Sequence, residues 1–120
     1  MDGYSLDNAP KELKSFIEHL VEALRSELGG DLEAIILQGS LAMGSFYAPK
    51  SDIDLLIVSK FLDKEKRQGV FSLLQDYQKR RPYVGSLEVS VVLDTDIKNP
   101  RHPFPYLVHF GENTAQVQQF

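Results

Sequence analysis

A chain of 120 residues with no cysteine and three scattered histidines, His19, His102 and His109, cannot build a disulfide framework or a thiolate zinc site. Thirteen basic against seventeen acidic residues give a net charge of −4, which argues against the broad basic footprint of a duplex-binding protein but suits a nucleotide that brings its own cations. No apolar run nears the roughly 18–20 residues that span a bilayer, and Met1 to Ser5 lacks a basic-then-apolar leader, so a soluble, cytoplasmic, single domain over residues 1–120 is expected.

Asn8-Ala9-Pro10 offers a cap and a first-turn proline. Leu13, Phe16, Ile17, Leu20, Val21, Leu24 and Leu28 then recur at helical spacing until Gly29-Gly30, which predicts an amphipathic helix over Pro10–Leu28 with His19 off the apolar stripe. Ala34-Ile35-Ile36-Leu37 reads as a short buried strand ended by Gly39-Ser40, with a brief helix over Leu41–Phe46. Tyr47 to Ser51 forms a loop into a second strand, Asp52–Ser59. Asp63-Lys64-Glu65-Lys66 opens a second helix, buried through Val70, Phe71, Leu74 and Tyr77. Lys79-Arg80-Arg81 at its end complements the helix dipole. Leu87–Leu93 is a third strand, interrupted by Glu88 and Ser90. Three prolines between Asn99 and Pro105 exclude helix and central strand there. Tyr106–Phe110 suits a short edge strand, and the tail from Asn113 to Phe120 has little to bury.

The chemistry concentrates in the middle of the chain. Strand residues two apart share a face and rise about 6.6–6.8 Å along the strand, so Asp52 and Asp54 can converge on a pair of divalent cations roughly 3.5–4 Å apart. Ile53, Leu55 and Ile57 take the opposite, core face. Taken alone, Asp-x-Asp equally suits two residues capping an exposed strand start. Glu88 breaks the apolar pattern of the third strand in the same way. If the two strands are neighbours, three carboxylates gather on one face. They then either hold two Mg²⁺ ions together, or leave Glu88 to take a proton from an attacking hydroxyl. Gly39-Ser40, after an apolar strand and before a short helix, allows backbone and hydroxyl to approach a phosphate closely.

These residues resemble the pattern of the nucleotidyltransferase superfamily that includes DNA polymerase β: a strand, Gly-Ser, about ten residues, Asp-x-Asp, and a later acidic residue on a strand. Within it the chain looks most like the streptomycin/spectinomycin-type aminoglycoside adenylyltransferases. That resemblance rests on the stretches Leu37–Gly44, Ser51–Val58 and Leu87–Val92, and on Pro100–Pro103 followed by Leu107–Glu112. The resemblance implies an α/β (α+β) fold, a mixed central sheet with helices mainly on one face and the active site on the other. It implies an enzyme that transfers AMP from Mg-ATP to a hydroxyl of a small molecule such as an aminoglycoside. Gly39, Ser40 and Ser51 would contact nucleotide, Asp52 and Asp54 would hold the metals with Glu88 as a further ligand, and Glu88 would match the family's catalytic base.

Those enzymes carry a C-terminal helical domain that closes over the nucleotide, whereas this sequence stops at Phe120. The alternative expectation is therefore a stand-alone minimal nucleotidyltransferase-like subunit acting with a helical partner, as antitoxin-type members do. An inactive structural domain is disfavoured, because carboxylates in an apolar strand are costly to keep without a ligand. Arg101 and His102 receive no role from the sequence.

Overall fold

A computed structural model describes residues 3, 5–47, 51–99, 108–111 and, for the backbone only, 115–117. The expected first helix is α1, Lys11–Leu28, which buries Leu13, Phe16, Ile17, Leu20, Leu24 and Leu28. Pro10 is its N-cap rather than its first residue. Asn8 does not cap it: the Asn8 Oδ1 accepts from the Ser5 N–H at 2.8 Å and closes a turn upstream.

A single 3₁₀ turn, Gly29–Asp31, leads into β1, Leu32–Gln38, longer than the four-residue apolar run. The short helix α2, Gly39–Met43, begins at the Gly-Ser pair itself and ends at Gly44, whose φ of 79° allows the left-handed C-cap. β2 is Ile53–Ser59, so Asp52 lies one residue outside it. α3, Lys64–Arg80, starts at Asp63, whose Oδ1 accepts from the Lys66 N–H at 2.8 Å. Val70 and Leu74 are buried along it. Arg67 joins them at 5% exposure, donating from Nη1 to the Leu62 carbonyl at 3.1 Å. β3 is Leu87–Leu93 as the sequence predicts, followed by an unforeseen short helix α4, Asp94–Lys98.

β4, Val108–Phe110, is not an edge strand, because the tail supplies a further strand, β5, Ala115–Val117. The tail's backbone is thus used although its side chains offered no apolar pattern. The proline-rich segment with Arg101 and His102 lies outside the described residues.

The five strands run in the order β1-β2-β3-β4-β5, with β2 and β3 parallel and every other neighbouring pair antiparallel. A parallel pair needs a crossover, and α3 provides it. Ile53, Leu55 and Ile57 of β2, Leu87, Val89 and Val91 of β3, and Val108 and Phe110 of β4 share one core with α1 and α3. Period-two alternation sends the residues between them to the other face. There Gln38, Asp54 and Glu88 form one cross-strand row, and Ile36, Leu56, Ser90 and His109 the next. This is the expected layout, helices mainly on one face and carboxylates on the other. No helix among the described residues is long and apolar enough to cross a membrane.

Leu20 is fully buried where α1 meets the sheet, and Leu20→Ala should destabilise the fold by about 2–5 kcal/mol. Asp63→Ala, removing only a helix cap, should lose about 1 kcal/mol. Urea unfolding of the two variants should rank them in that order.

Candidate functional site

Two neighbouring strands bring the acidic residues together. Asp54 of β2 and Glu88 of β3 are direct register partners in the parallel ladder, about 4.8 Å apart in the hydrogen-bonding direction. Asp52 reaches the same end of the sheet from the residue before β2. The backbone N–H of Ser86 donates to its Oδ1 at 2.7 Å. The Ser86 hydroxyl donates to Glu88 Oε2, and the Ser86 carbonyl accepts from the Ile53 N–H at 2.9 Å. One buried serine therefore ties the start of β2 to the start of β3 and touches two of the three carboxylates.

The turn that carries Ser86 is braced from α3. Leu87 donates its N–H to Gln78 Oε1 at 2.8 Å. Arg81, the C-cap residue of α3, donates from Nε to the Gly85 carbonyl and from Nη1 to the Gln78 carbonyl at 2.6 Å. The basic cluster at the helix end thus divides its work. Arg80 lies on the surface against Asp76 and the Tyr77 ring, while Arg81 binds the carbonyls of the turn that shapes the site.

Glycine stands against each carboxylate. Gly39 has a φ of 71°, and a Cβ there would collide with Asp54 Oδ2 and lie 3.2 Å from its Cγ. A Cβ on Gly85 would lie 2.8 Å from Asp52 Oδ1 and overlap the Ser51 carbonyl. One on Gly111, just after β4, would fall on the Glu88 carboxylate. At these three positions a side chain would displace a carboxylate.

Of the other predicted nucleotide contacts, Ser40 lies in the first turn of α2, half-buried, its carbonyl accepting from the Ser45 N–H at 2.8 Å. The Ser51 hydroxyl accepts from the Tyr47 N–H at 2.9 Å, and its own N–H returns to the Tyr47 carbonyl at 2.7 Å, so Ser51 closes the preceding loop. The residues that sequence reasoning missed are Ser86, Gly85, Gly111, Gln78 and Arg81. One signal was available: Gly85-Ser86 repeats the Gly-Ser pair of residues 39 and 40 immediately ahead of the strand with Glu88.

The electrostatics follow from the crowding. Burial raises the Asp54 carboxyl above its usual pKa, and the charges of Asp52 and then Glu88 push it further. Among the described residues neither Asp52 nor Asp54 forms an ion pair. Nearby, the buried Tyr83 hydroxyl has no hydrogen-bond partner among the described residues. Burial raises its pKa most, Arg81 opposes this, and the three carboxylates add to it, so Tyr83 stays a neutral phenol. Its ring packs edge-on against Phe16 and Phe46, at centroid distances of 6.0 and 5.8 Å.

An all-oxygen, anionic donor set is the chemistry that hard divalent cations prefer, and such a cation would relieve the repulsion on Asp54. The carboxylates are not a complete cage. Among the described residues no group of three or more His, Asp or Glu side chains could hold an ion unaided, so part of any coordination shell must come from the ligand or from water.

With this geometry in view, comparisons with known proteins agree on the fold. The family model described as a nucleotidyltransferase domain matches residues 17–113. Among solved structures, the chain is similar to the spectinomycin adenyltransferase AAD(9) from Enterococcus faecialis, determined with ATP and spectinomycin, at a TM-score of 0.69 and 19% identity. The match covers 82% of this chain and 41% of that one, so the chain spans less than half the length of the neighbour. No curated protein sequence matches.

A carboxyl whose folded-state pKa is raised binds its proton more tightly in the native state. Its contribution to stability is present at low pH and is lost as pH rises through the folded-state value. Asp54→Asn should therefore raise the thermal midpoint of the metal-free protein at pH 7. The gain should shrink as pH falls and the wild-type Asp54 takes up its proton, which paired melting curves in a chelating buffer would follow.

Proposed function

This chain belongs to the nucleotidyltransferase family, and on that premise we propose that it serves Mg²⁺-dependent transfer of AMP from ATP to a hydroxyl of a small molecule such as an aminoglycoside. The observation that carries this reading is the in-register pair Asp54 and Glu88, with Asp52 drawn to the same sheet end through Ser86. Support for ATP and for an aminoglycoside acceptor comes from the fold likeness to AAD(9), whose structure contains ATP and spectinomycin.

Asp52 and Asp54 are the residues that would hold Mg²⁺, with Glu88 either as a third ligand or as the base. When bound, the metal would polarise the α-phosphate and offset the charge of departing pyrophosphate. The chain's own residues do the rest. At Gly39 the backbone packs directly against the Asp54 carboxylate, so Gly39 and Ser40 would contact the nucleotide from beside the metal-holding acid. The acceptor hydroxyl oxygen forms its bond to the α-phosphorus as the bond to the pyrophosphate oxygen breaks, and the Glu88 carboxylate takes the hydroxyl proton. Ser51 would contact the nucleotide with Gly39 and Ser40; its hydroxyl accepts from the Tyr47 N–H and retains its own O–H to donate. A cytoplasmic location belongs to the same reading, which requires ATP. The other face of an acceptor pocket would come from protein beyond this domain, either a helical domain of the same protein or a helical partner. The neighbour's greater length favours that arrangement.

Calorimetry of ATP binding with and without Mg²⁺ tests the core of the reading. Wild-type protein should bind ATP at least tenfold more tightly with Mg²⁺, and Asp52→Asn and Asp54→Asn should lose that difference. Equal affinity with and without metal would overturn it. For the role of Glu88, Glu88→Gln should keep Mg-ATP affinity within about threefold and lose about 10²–10⁴-fold in pyrophosphate release with acceptor if Glu88 is the base. A matching loss of Mg-ATP affinity would make it a ligand instead.

A further inference from the structure

We propose that Ser86 is the positioning residue of this site: its hydroxyl sets the orientation of the Glu88 carboxylate while its amide fixes Asp52. The catalytic meaning of this rests on the nucleotidyl-transfer reading above, whereas the geometric claim does not. Ser86 is 3% exposed, and a buried hydroxyl is kept only where its bonds are made inside the protein. Its three polar groups reach three elements of the site: N–H to Asp52 Oδ1, hydroxyl to Glu88 Oε2, carbonyl to the Ile53 N–H. The residues on either side are held as well, Gly85 through its carbonyl by Arg81 and Leu87 through its N–H by Gln78. Ser86 therefore stands on rigid backbone, and its hydroxyl acts as a fixed reference from which Glu88 is aimed.

Two like-charged carboxylates close together separate unless a donor holds them. A single residue donating to both sets their separation. The Glu88 carboxylate packs against Gly111, where a Cβ would overlap it, so a glycine there is what lets the carboxylate take the position in which the Ser86 hydroxyl reaches it. Side-chain misplacement of about 1 Å at a reacting group lowers turnover by as much as about 10²-fold. The serine hydroxyl is the part of this arrangement that a point substitution can remove without touching the backbone bonds.

The test compares wild type, Ser86→Ala and Ser86→Thr. Crystal structures of the three come first, because they need no activity. Glu88 should occupy one rotamer in wild type and Ser86→Thr and should move or divide between rotamers in Ser86→Ala, with Asp52 in place in all three. Turnover with Mg-ATP and an acceptor should then fall about 10–100-fold in kcat for Ser86→Ala. KM for ATP and Mn²⁺-ATP affinity by calorimetry should change less than threefold, and threonine should restore most of kcat. An unmoved Glu88 in Ser86→Ala overturns the proposal. So does a parallel loss of melting temperature, KM and kcat that threonine does not repair, which marks a merely structural serine. Absence of Mg-dependent ATP binding in wild type would instead overturn the nucleotidyl-transfer reading, and the crystallographic comparison would still decide the role of Ser86.

Discussion

Two carboxylates placed side by side on neighbouring strands repel each other, and the parallel ladder between β2 and β3 leaves Asp54 and Glu88 no other arrangement. Ile53, Leu55 and Ile57, with Leu87, Val89 and Val91, must all face the helices, so the residues alternating with them must face away. Burying each such apolar side chain is worth about 1.5–3 kcal/mol. Two unit charges 4 Å apart at a protein surface cost roughly 1–4 kcal/mol. Six apolar residues outweigh one repulsive pair, and a slip of one residue would reverse all of them together. The core therefore imposes the acidic site, and Asp54 carries the consequence: burial first, then the charge of Asp52 and last that of Glu88, raises its proton affinity.

A second layer of structure turns crowding into geometry. Strand register fixes where Asp54 and Glu88 start from, but it does not orient a carboxylate, nor does it reach Asp52 outside the strand. Those tasks fall to the turn between α3 and β3, where Arg81 and Gln78 anchor the backbone and Ser86 distributes its donors. The glycines at 39, 85 and 111 belong to the same design from the opposite direction, each removing a side chain that would displace a carboxylate.

The apolar stripe of α1 and the alternation of β3 were legible because hydrophobic burial writes a period into sequence, 3.6 for one and 2 for the other. The same alternation exposed Asp54 and Glu88, since an acid inside a strand pattern marks the face that is not core. Where burial writes no period, the reading failed. β5 owes its place to backbone pairing with β4 and carries Ala115, Gln116 and Val117, which form no convincing strand pattern. Arg67 was passed over as a charged residue although it is buried on α3, because its bond to the Leu62 carbonyl is invisible before the loop is folded. Arg81 reads in the sequence only as part of a basic helix end, and Gln78 carries no signal at all, for the same reason: their partners are main-chain atoms of a turn, and main-chain atoms look alike in any sequence.

The parallel pairing of β2 with β3 has one more consequence, in time rather than space. A crossover through α3 separates Asp54 from Glu88 by more than thirty positions, and nonlocal parallel pairing forms late because chain entropy must be surrendered before contacts repay it. Ser86 and Gly111 lie on the far side of that closure as well. A chain in which β2 and β3 have not yet paired has no complete acidic cluster, and a ligand that needs all three acids has nothing to bind until they pair. Such a ligand would act on the native state alone, pulling the folding equilibrium toward it by mass action.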